Sequence, residues 1–157
     1  MRSAFADVTN QLEKISAGPG ARSDRARRAA VTIRDAGGYR WVGLYDVGRE
    51  TISVLGWDGP HPPTYPTFPV TQGLNGAAVA TGEAVIVQDV TRDPRYLTTL
   101  GSTRAEMIMP VRAGPAGAVV GTIDVESDRT NPFTEHDREL LGACVGALAG
   151  LWRSPGG

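Results

Sequence analysis

The run "GTIDVES", residues 121–127, constrains the fold more than any other stretch because it has the two-residue alternation of a β-strand. Successive side chains of a strand point to opposite faces of the sheet. Ile123 and Val125 therefore share one face, while Asp124 and Glu126 share the other. We expect a sheet with an apolar face that packs against helices and an acidic face that needs a separate explanation.

Several other runs have strand character. The alternating runs "WVGLYDV" and "TISVLGW" flank a polar turn at residues 48–50 and predict an antiparallel hairpin. The Pro-rich stretch that follows cannot supply continuous ladder donors, so we expect only a short edge segment near Phe68. The runs "AVIVQDV" and "AEMIMPVR" predict two more strands, and the second pairs with "GAVVGTIDVES" around a turn at residues 113–117.

Four segments have helical character. Apolar residues spaced three and four apart predict an N-terminal amphipathic helix, and a second helix is expected over residues 23–36, ended by two glycines. The stretch "LNGAAVAT" predicts a short helix capped by Gly82, and Thr134 with Asp137 indicates the start of a C-terminal helix. Helices at both ends of an antiparallel sheet, with a long excursion before the last hairpin, predict an α+β domain.

Length and charge restrict the class of protein. The chain has 157 residues, of which 41% are hydrophobic and 21% charged, and this suits one domain. We place that domain at residues 21–154. A helix over residues 1–20 precedes it and could contact a second copy of the chain. The net charge of -1 gives no general attraction to nucleic acid or to an anionic membrane. No run approaches the roughly 20 apolar residues of a membrane span. The single cysteine suits a reducing compartment, so we expect a cytoplasmic protein.

Other local patterns are weak signals for chemistry. Cys144 falls on the apolar stripe of the last helix, where a free cysteine is usually a small buried hydrophobe. The arginines of the second helix are expected to be solvated rather than bound to phosphate. His61 and His136 lie in different elements, so no zinc site is predicted, and no other metal or cofactor motif is present.

The stretches "WVGLY", "GLNGAAVATGEAVIVQDV", "AEMIMPV" and "GAVVGTIDVESDRTNPFTEHDRELL" resemble the GAF domain. Within that superfamily they are most similar to the free methionine-(R)-sulfoxide reductases, in a consistent order over about residues 26–150. The resemblance implies a GAF/PAS-like central antiparallel sheet, with the N- and C-terminal helices on one face and a ligand pocket on the other. Residues 93–105, which we call the roof segment, would cover that pocket.

The same resemblance implies which residues line the pocket. Acidic residues on the last strands line it in the reductases, and the matching positions are Glu106, Asp124 and Glu126. An aromatic pair on the first strand also lines it, and Trp41 and Tyr45 match this pair. The residues that bind the ligand are therefore expected to be present.

The two cysteine positions of the reductases hold other residues. The family pattern "G-V-C-G" is "GLNG" here, with Asn75, and the roof-segment cysteine, seven residues before the glutamate, is replaced by Thr99. Sulfoxide reduction needs a thiolate that becomes a sulfenic acid and a second thiol that resolves it. We therefore expect no catalytic residue and predict a non-catalytic GAF domain that binds a small polar ligand, such as an amino acid or amine, as a sensor or regulatory module.

Other functions remain alternatives. The protein could be a reductase despite these replacements, or a homodimeric interaction module with an unused pocket. A second copy of the chain and an unidentified regulatory protein are expected partners besides the ligand. The acids could also face solvent on an open sheet. If they are enclosed, their repulsion must be offset by a raised pKa, by Arg104, by an ammonium or amide donor, or by a hard cation.

Overall fold

The computed structural model describes residues 5–114 and 117–152, which form a six-stranded sheet with α-helices on both faces. The strands are β1 (Trp41–Val47), β2 (Thr51–Asp58), β3 (Thr67–Pro69), β4 (Val85–Val87), β5 (Ala105–Arg112) and β6 (Val119–Ser127). The helices are α1 (Ala6–Ala17), α2 (Arg22–Gly37), α3 (Gly73–Thr81) and α4 (Glu135–Trp152). The strand order is β3-β2-β1-β6-β5-β4, and every neighbouring pair is antiparallel. The predicted α+β class is confirmed.

The two faces of the sheet pack against different layers. On one face, Ile123 and Val125 join a core with residues of α2 and α4, and α1 packs against both of these helices. On the other face, Trp41 and Tyr45 form a second cluster, and α3 and the roof segment lie over the acids. The predicted division into a helix face and a pocket face is therefore confirmed.

The apolar stripe of α1 packs within the chain. Leu12 is fully buried, and Phe5, Val8 and Ile15 pack against the core on the helix face. The contact of this helix with a second copy stays a prediction. Within the described residues, no helix has the length and apolar character needed to cross a bilayer.

The helix ends follow the local sequence. Gly38 after α2 and Gly82 after α3 have φ angles of 68° and 69°, in the left-handed region that glycine adopts without strain. At the start of α4, the backbone N–H of Thr134 donates to Oδ2 of Asp137 over 2.8 Å. The predicted helix ends at these glycines and the predicted start at Thr134 are confirmed.

Some predictions extend beyond the described residues. The helix over residues 1–20, the turn over residues 113–117 and the domain boundary at residue 154 each include residues outside 5–114 and 117–152.

One strand is shorter than predicted. A strand over residues 84–90 was expected from "AVIVQDV", but β4 covers only Val85–Val87. The chain leaves the sheet at Gln88. The side-chain Nε2 of Gln88 donates to the carbonyl of Phe133 over 2.9 Å, and the backbone carbonyl of Gln88 accepts from the N–H of Asn131. The backbone and side chain of Gln88 thus bond to the loop before α4 instead of continuing the ladder.

A β-bulge interrupts the predicted alternation of β2. Leu55 has no partner in β1, because Gly56 and Val54 pair with consecutive residues there. Leu55 and Gly56 therefore both face the helices, whereas Val54 and Trp57 both lie on the pocket face. The hairpin was predicted correctly, but the bulge was not.

A side chain at Gly56 would collide with the backbone of α2. A Cβ there would lie 2.4 Å from the backbone N of Arg27 and 2.7 Å from the backbone C of Ala26. We expect Gly56→Ala to lower the free energy of unfolding by about 1–3 kcal/mol, as overpacking does elsewhere. Urea denaturation measures this change.

Gly146 provides the control. It is exposed inside α4, and an added Cβ meets no described atom within 4 Å. Gly146→Ala should raise the free energy of unfolding by about 0.5–1 kcal/mol, because alanine restricts the unfolded chain more than glycine does. A Gly56→Ala variant as stable as the native chain would contradict the close approach of α2 and β2.

Candidate functional site

The register of adjacent strands brings the three predicted acids together. Glu106 of β5 pairs directly with Glu126 of β6, and Asp124 lies two residues further along the same face. Trp41 of β1 pairs with Glu126 from the other side. One carboxylate oxygen from each acid lies within 4.8 Å of those from the other two.

All three acids are enclosed by the protein. Glu106 is 2% exposed, and Asp124 and Glu126 are both 0% exposed. Oγ1 of Thr103 donates to Oε1 of Glu126 over 2.6 Å, and Nδ2 of Asn75 donates to Oδ2 of Asp124 over 3.4 Å. One oxygen of each acid is buried and has no hydrogen-bond partner among the described residues. These oxygens are Oε2 of Glu106, Oδ1 of Asp124 and Oε2 of Glu126. The alternative of solvated acids is therefore wrong.

Arg104 does not offset the charge of the acids. Its side chain is exposed, and its charge helps to lower the pKa of Asp89, outside the enclosed site. Protonation and a bound cation remain as explanations for the enclosed acids.

Burial raises the pKa of all three acids. The pKa values of Glu106 and Asp124 are raised strongly, first by burial and then by the charges of their acidic neighbours. Burial also raises the pKa of Glu126, but hydrogen bonds, among them those from Glu106, Thr103 and Thr99, oppose the rise. The raised pKa values of Glu106 and Asp124 favour the protonated forms of these two acids in the ligand-free protein.

Aromatic rings form one side of the site. Tyr45 is 1% exposed, and its pKa is raised by burial and then by the charges of the acids. Trp41 packs between Tyr45 and Trp57, with ring centroids 6.4 Å and 6.5 Å away. These rings exclude water from the acids, which strengthens every electrostatic interaction in the site.

A small cavity remains beside Glu106. Its volume is about 10 Å³, enough for roughly one water molecule. Its lining includes Tyr45, Asn75 and Thr99, so the roof segment closes it from outside. Trp41 lies outside this lining, and its contact with a ligand stays a prediction.

The positions that hold cysteine in the reductases both lie in the cavity wall. Asn75 and Thr99 occupy them and carry no thiol. The one cysteine of the chain, Cys144, lies in the core on the opposite face of the sheet, where burial raises the pKa of its thiol to about 12. The cavity therefore contains no group that can be oxidised to a sulfenic acid.

Sequence reasoning missed several residues of the site, among them Thr103, Leu97 and Phe68. Thr103 donates to Glu126, while Leu97 and Phe68 line the cavity. Thr103 and Leu97 belong to the roof segment, which has no periodic pattern from which side-chain directions could be read. The sequence feature that comes closest to predicting the role of Thr103 is its position, three residues before Glu106 in the segment expected to cover the pocket.

A fully antiparallel sheet, with α1, α2 and α4 on one face and α3 with an enclosed polar cavity on the other, is the architecture of the GAF fold. The chain belongs to the GAF domain family, whose model matches residues 21–151.

Two kinds of protein are similar to this chain. GAF domain-containing protein A of Dictyostelium discoideum is 25% identical over 138 residues, which cover 87% of this chain and 85% of that protein. The free methionine-R-sulfoxide reductase of Neisseria meningitidis, solved in complex with its substrate, is 25% identical with a TM-score of 0.82, covering 95% of this chain and 88% of that chain. The type II free methionine-R-sulfoxide reductase of Thermoplasma acidophilum is 26% identical with a TM-score of 0.77, covering 90% of this chain and 95% of that chain. The predicted family and its resemblance to these reductases are confirmed.

We expect the ligand-free protein to lose stability over the range of pH above about 4, where unfolded carboxyl groups ionise. Unfolded carboxyl groups have pKa values near 4, whereas those of the three acids are raised in the folded protein. Such groups stabilise the fold while protonated, and this contribution is lost as the pH rises through the folded pKa. Urea denaturation at several pH values measures the loss.

Glu106→Gln should flatten this pH dependence and stabilise the protein at the upper end of the range. The amide keeps a donor toward Glu126 but does not titrate. Glu139→Gln, at an exposed position of α4, is the matched control and should keep the native pH dependence. If the free energy of unfolding changed equally with pH in the two variants, the assignment of a proton to Glu106 would be contradicted.

Proposed function

We propose that this protein is a non-catalytic GAF domain that binds a small molecule with an ammonium group, an amino acid or an amine, as a sensor or regulatory module. The observation that supports this most directly is the set of three buried carboxylate oxygens without partners, one each on Glu106, Asp124 and Glu126.

The ammonium group matches this set in the number of its donors, in the sign of its charge and in size. A primary ammonium has three N–H donors, and the acids offer three unpartnered acceptors. Two like charges about 5 Å apart repel by roughly 3 kcal/mol at an effective dielectric constant near 20, and a bound positive charge offsets this. The cavity of about 10 Å³ is of the size of one ammonium nitrogen with its hydrogens.

A hard cation fits the same acids less well. Ca²⁺ takes six to eight oxygen ligands, and Mg²⁺ usually keeps several of its waters. The three carboxylates lie close together, and the cavity beside Glu106 has room for roughly one water, so the coordination shell of either ion would be incomplete.

Binding should be measurable by isothermal titration calorimetry with methionine, its sulfoxide and simple primary amines. We expect affinity to rise with pH, because the pKa values of the acids are raised and the acids must lose their protons to accept the ammonium group. The N-acetylated counterparts, which lack the charge, should not bind. Calcium and magnesium chloride test the cation alternative.

The variant that tests the acids is Asp124→Asn. Removing one partner of a buried charge interaction costs about 2 kcal/mol or more, so we expect at least a roughly thirtyfold weaker affinity for the amines. Glu139→Gln is again the control and should bind as the native protein does. Flat titrations of the native protein with every amine would overturn the proposal.

The reductase alternative has a separate test. Reduction of a sulfoxide takes two electrons from a thiol, and an alcohol or amide at Thr99 or Asn75 has none to give. We expect no sustained NADPH consumption when the protein is assayed with free methionine sulfoxide, thioredoxin and thioredoxin reductase. Sustained turnover would show that the protein is a reductase. The partners expected from the sequence, a second copy and a regulatory protein, stay predictions.

A further inference from the structure

A second and larger cleft adjoins the cavity at the acids. It lies between α3 and the roof segment and has a volume of about 630 Å³. Gly73 and Leu97 line both the cleft and the small cavity, so the two spaces are neighbours on either side of these residues. The volume is within the range of roughly 300–1,000 Å³ that is usual for small-molecule pockets.

The cleft is mainly apolar. Val70, Val79 and Leu97 contribute aliphatic side chains to its walls. Its charged lining residue, Arg95, is paired with Asp93, with Nη2 2.6 Å from Oδ2. The cleft therefore offers contacts to an uncharged, apolar group.

We propose that this cleft holds the apolar tail of a ligand whose ammonium group binds the three acids. The inference rests on the proposed function and narrows the ligand to primary amines and amino acids with an extended aliphatic or aromatic tail. The small cavity, which is lined by Glu106 among the three acids, has room for roughly one water-sized group. The remainder of the ligand must lie elsewhere, and the adjoining cleft provides the volume and the apolar walls.

The wall between the two spaces is thin. A Cβ at Gly73, whose φ is 74°, would lie 3.2 Å from Cβ of Leu97. The Leu97 side chain is half-buried and belongs to the roof segment. The Leu97 side chain and the backbone of Gly73, which carries no side chain, thus form the boundary that the ligand would have to pass.

Linear primary amines from ethylamine to octylamine test this arrangement by calorimetry at concentrations below micelle formation. Burial of each additional methylene should tighten binding about fourfold until the cleft is filled. The alcohols and carboxylic acids of equal length lack the ammonium group and should bind much more weakly at every length.

Matched variants locate the tail. Ala80 in α3 and Ala36 in α2 are both exposed, and each is the penultimate residue of its helix. Of the two, Ala80 lines the cleft and Ala36 does not. Ala80→Phe should abolish the gain with chain length and leave ethylamine binding unchanged, while Ala36→Phe should leave both unchanged. Ala77→Phe fills the same cleft from a half-buried position and should repeat the effect of Ala80→Phe.

The outcomes separate the two proposals. Ethylamine binding without a gain for longer chains would overturn the tail site and leave the proposed function in place. A gain with chain length that survives both Ala80→Phe and Ala77→Phe would place the tail elsewhere and also overturn it. Absence of binding by any amine would overturn the proposed function, and the tail site with it.

Discussion

The enclosure of three carboxylates on one face of the sheet is the constraint on which the rest of the site depends. Charges that leave water must be neutralised or paired, and here protons and a few hydrogen bonds do so only in part. The ligand-free fold therefore contains a local instability that a bound cation would remove. A ligand present at about a hundred times its dissociation constant stabilises a fold by about 2.7 kcal/mol, so occupancy and stability are directly linked in such a site.

The two positions that the sequence resemblance matches to reductase cysteines hold residues that form hydrogen bonds. At the position of one reductase cysteine, Asn75 accepts a hydrogen bond from Thr122 and donates to Asp124. At the other, a hydrogen bond from Thr99 counteracts the rise in the pKa of Glu126. Both replacements are hydrogen-bonding groups that support the acids. The site thus combines three buried acids with an amide and a hydroxyl group, and the lining of its cavity contains no thiol.

Much of the fold and of the acidic cluster could be predicted from the sequence, because strand alternation assigns Asp124 and Glu126 to one face and the family resemblance adds Glu106. Closure could not be predicted in the same way. It depends on Thr103 and Leu97, in an irregular segment whose side chains are directed by tertiary contacts. The short β4 and the bulge in β2 were missed for a related reason. The sequence of one strand does not show where its pairing with the neighbouring strand ends or where an extra residue interrupts that pairing.

The bulge at Leu55 has a consequence for length changes in β2. Deletion of one residue elsewhere in a strand inverts every side chain beyond it, which here would carry Trp57 away from Trp41. Deletion of Leu55 itself restores a regular ladder, with Val54 and Trp57 still on the pocket face and Gly56 still against α2. At this one position of the hairpin, a homologue one residue shorter can keep the same aromatic wall and lose only the packing of a single leucine.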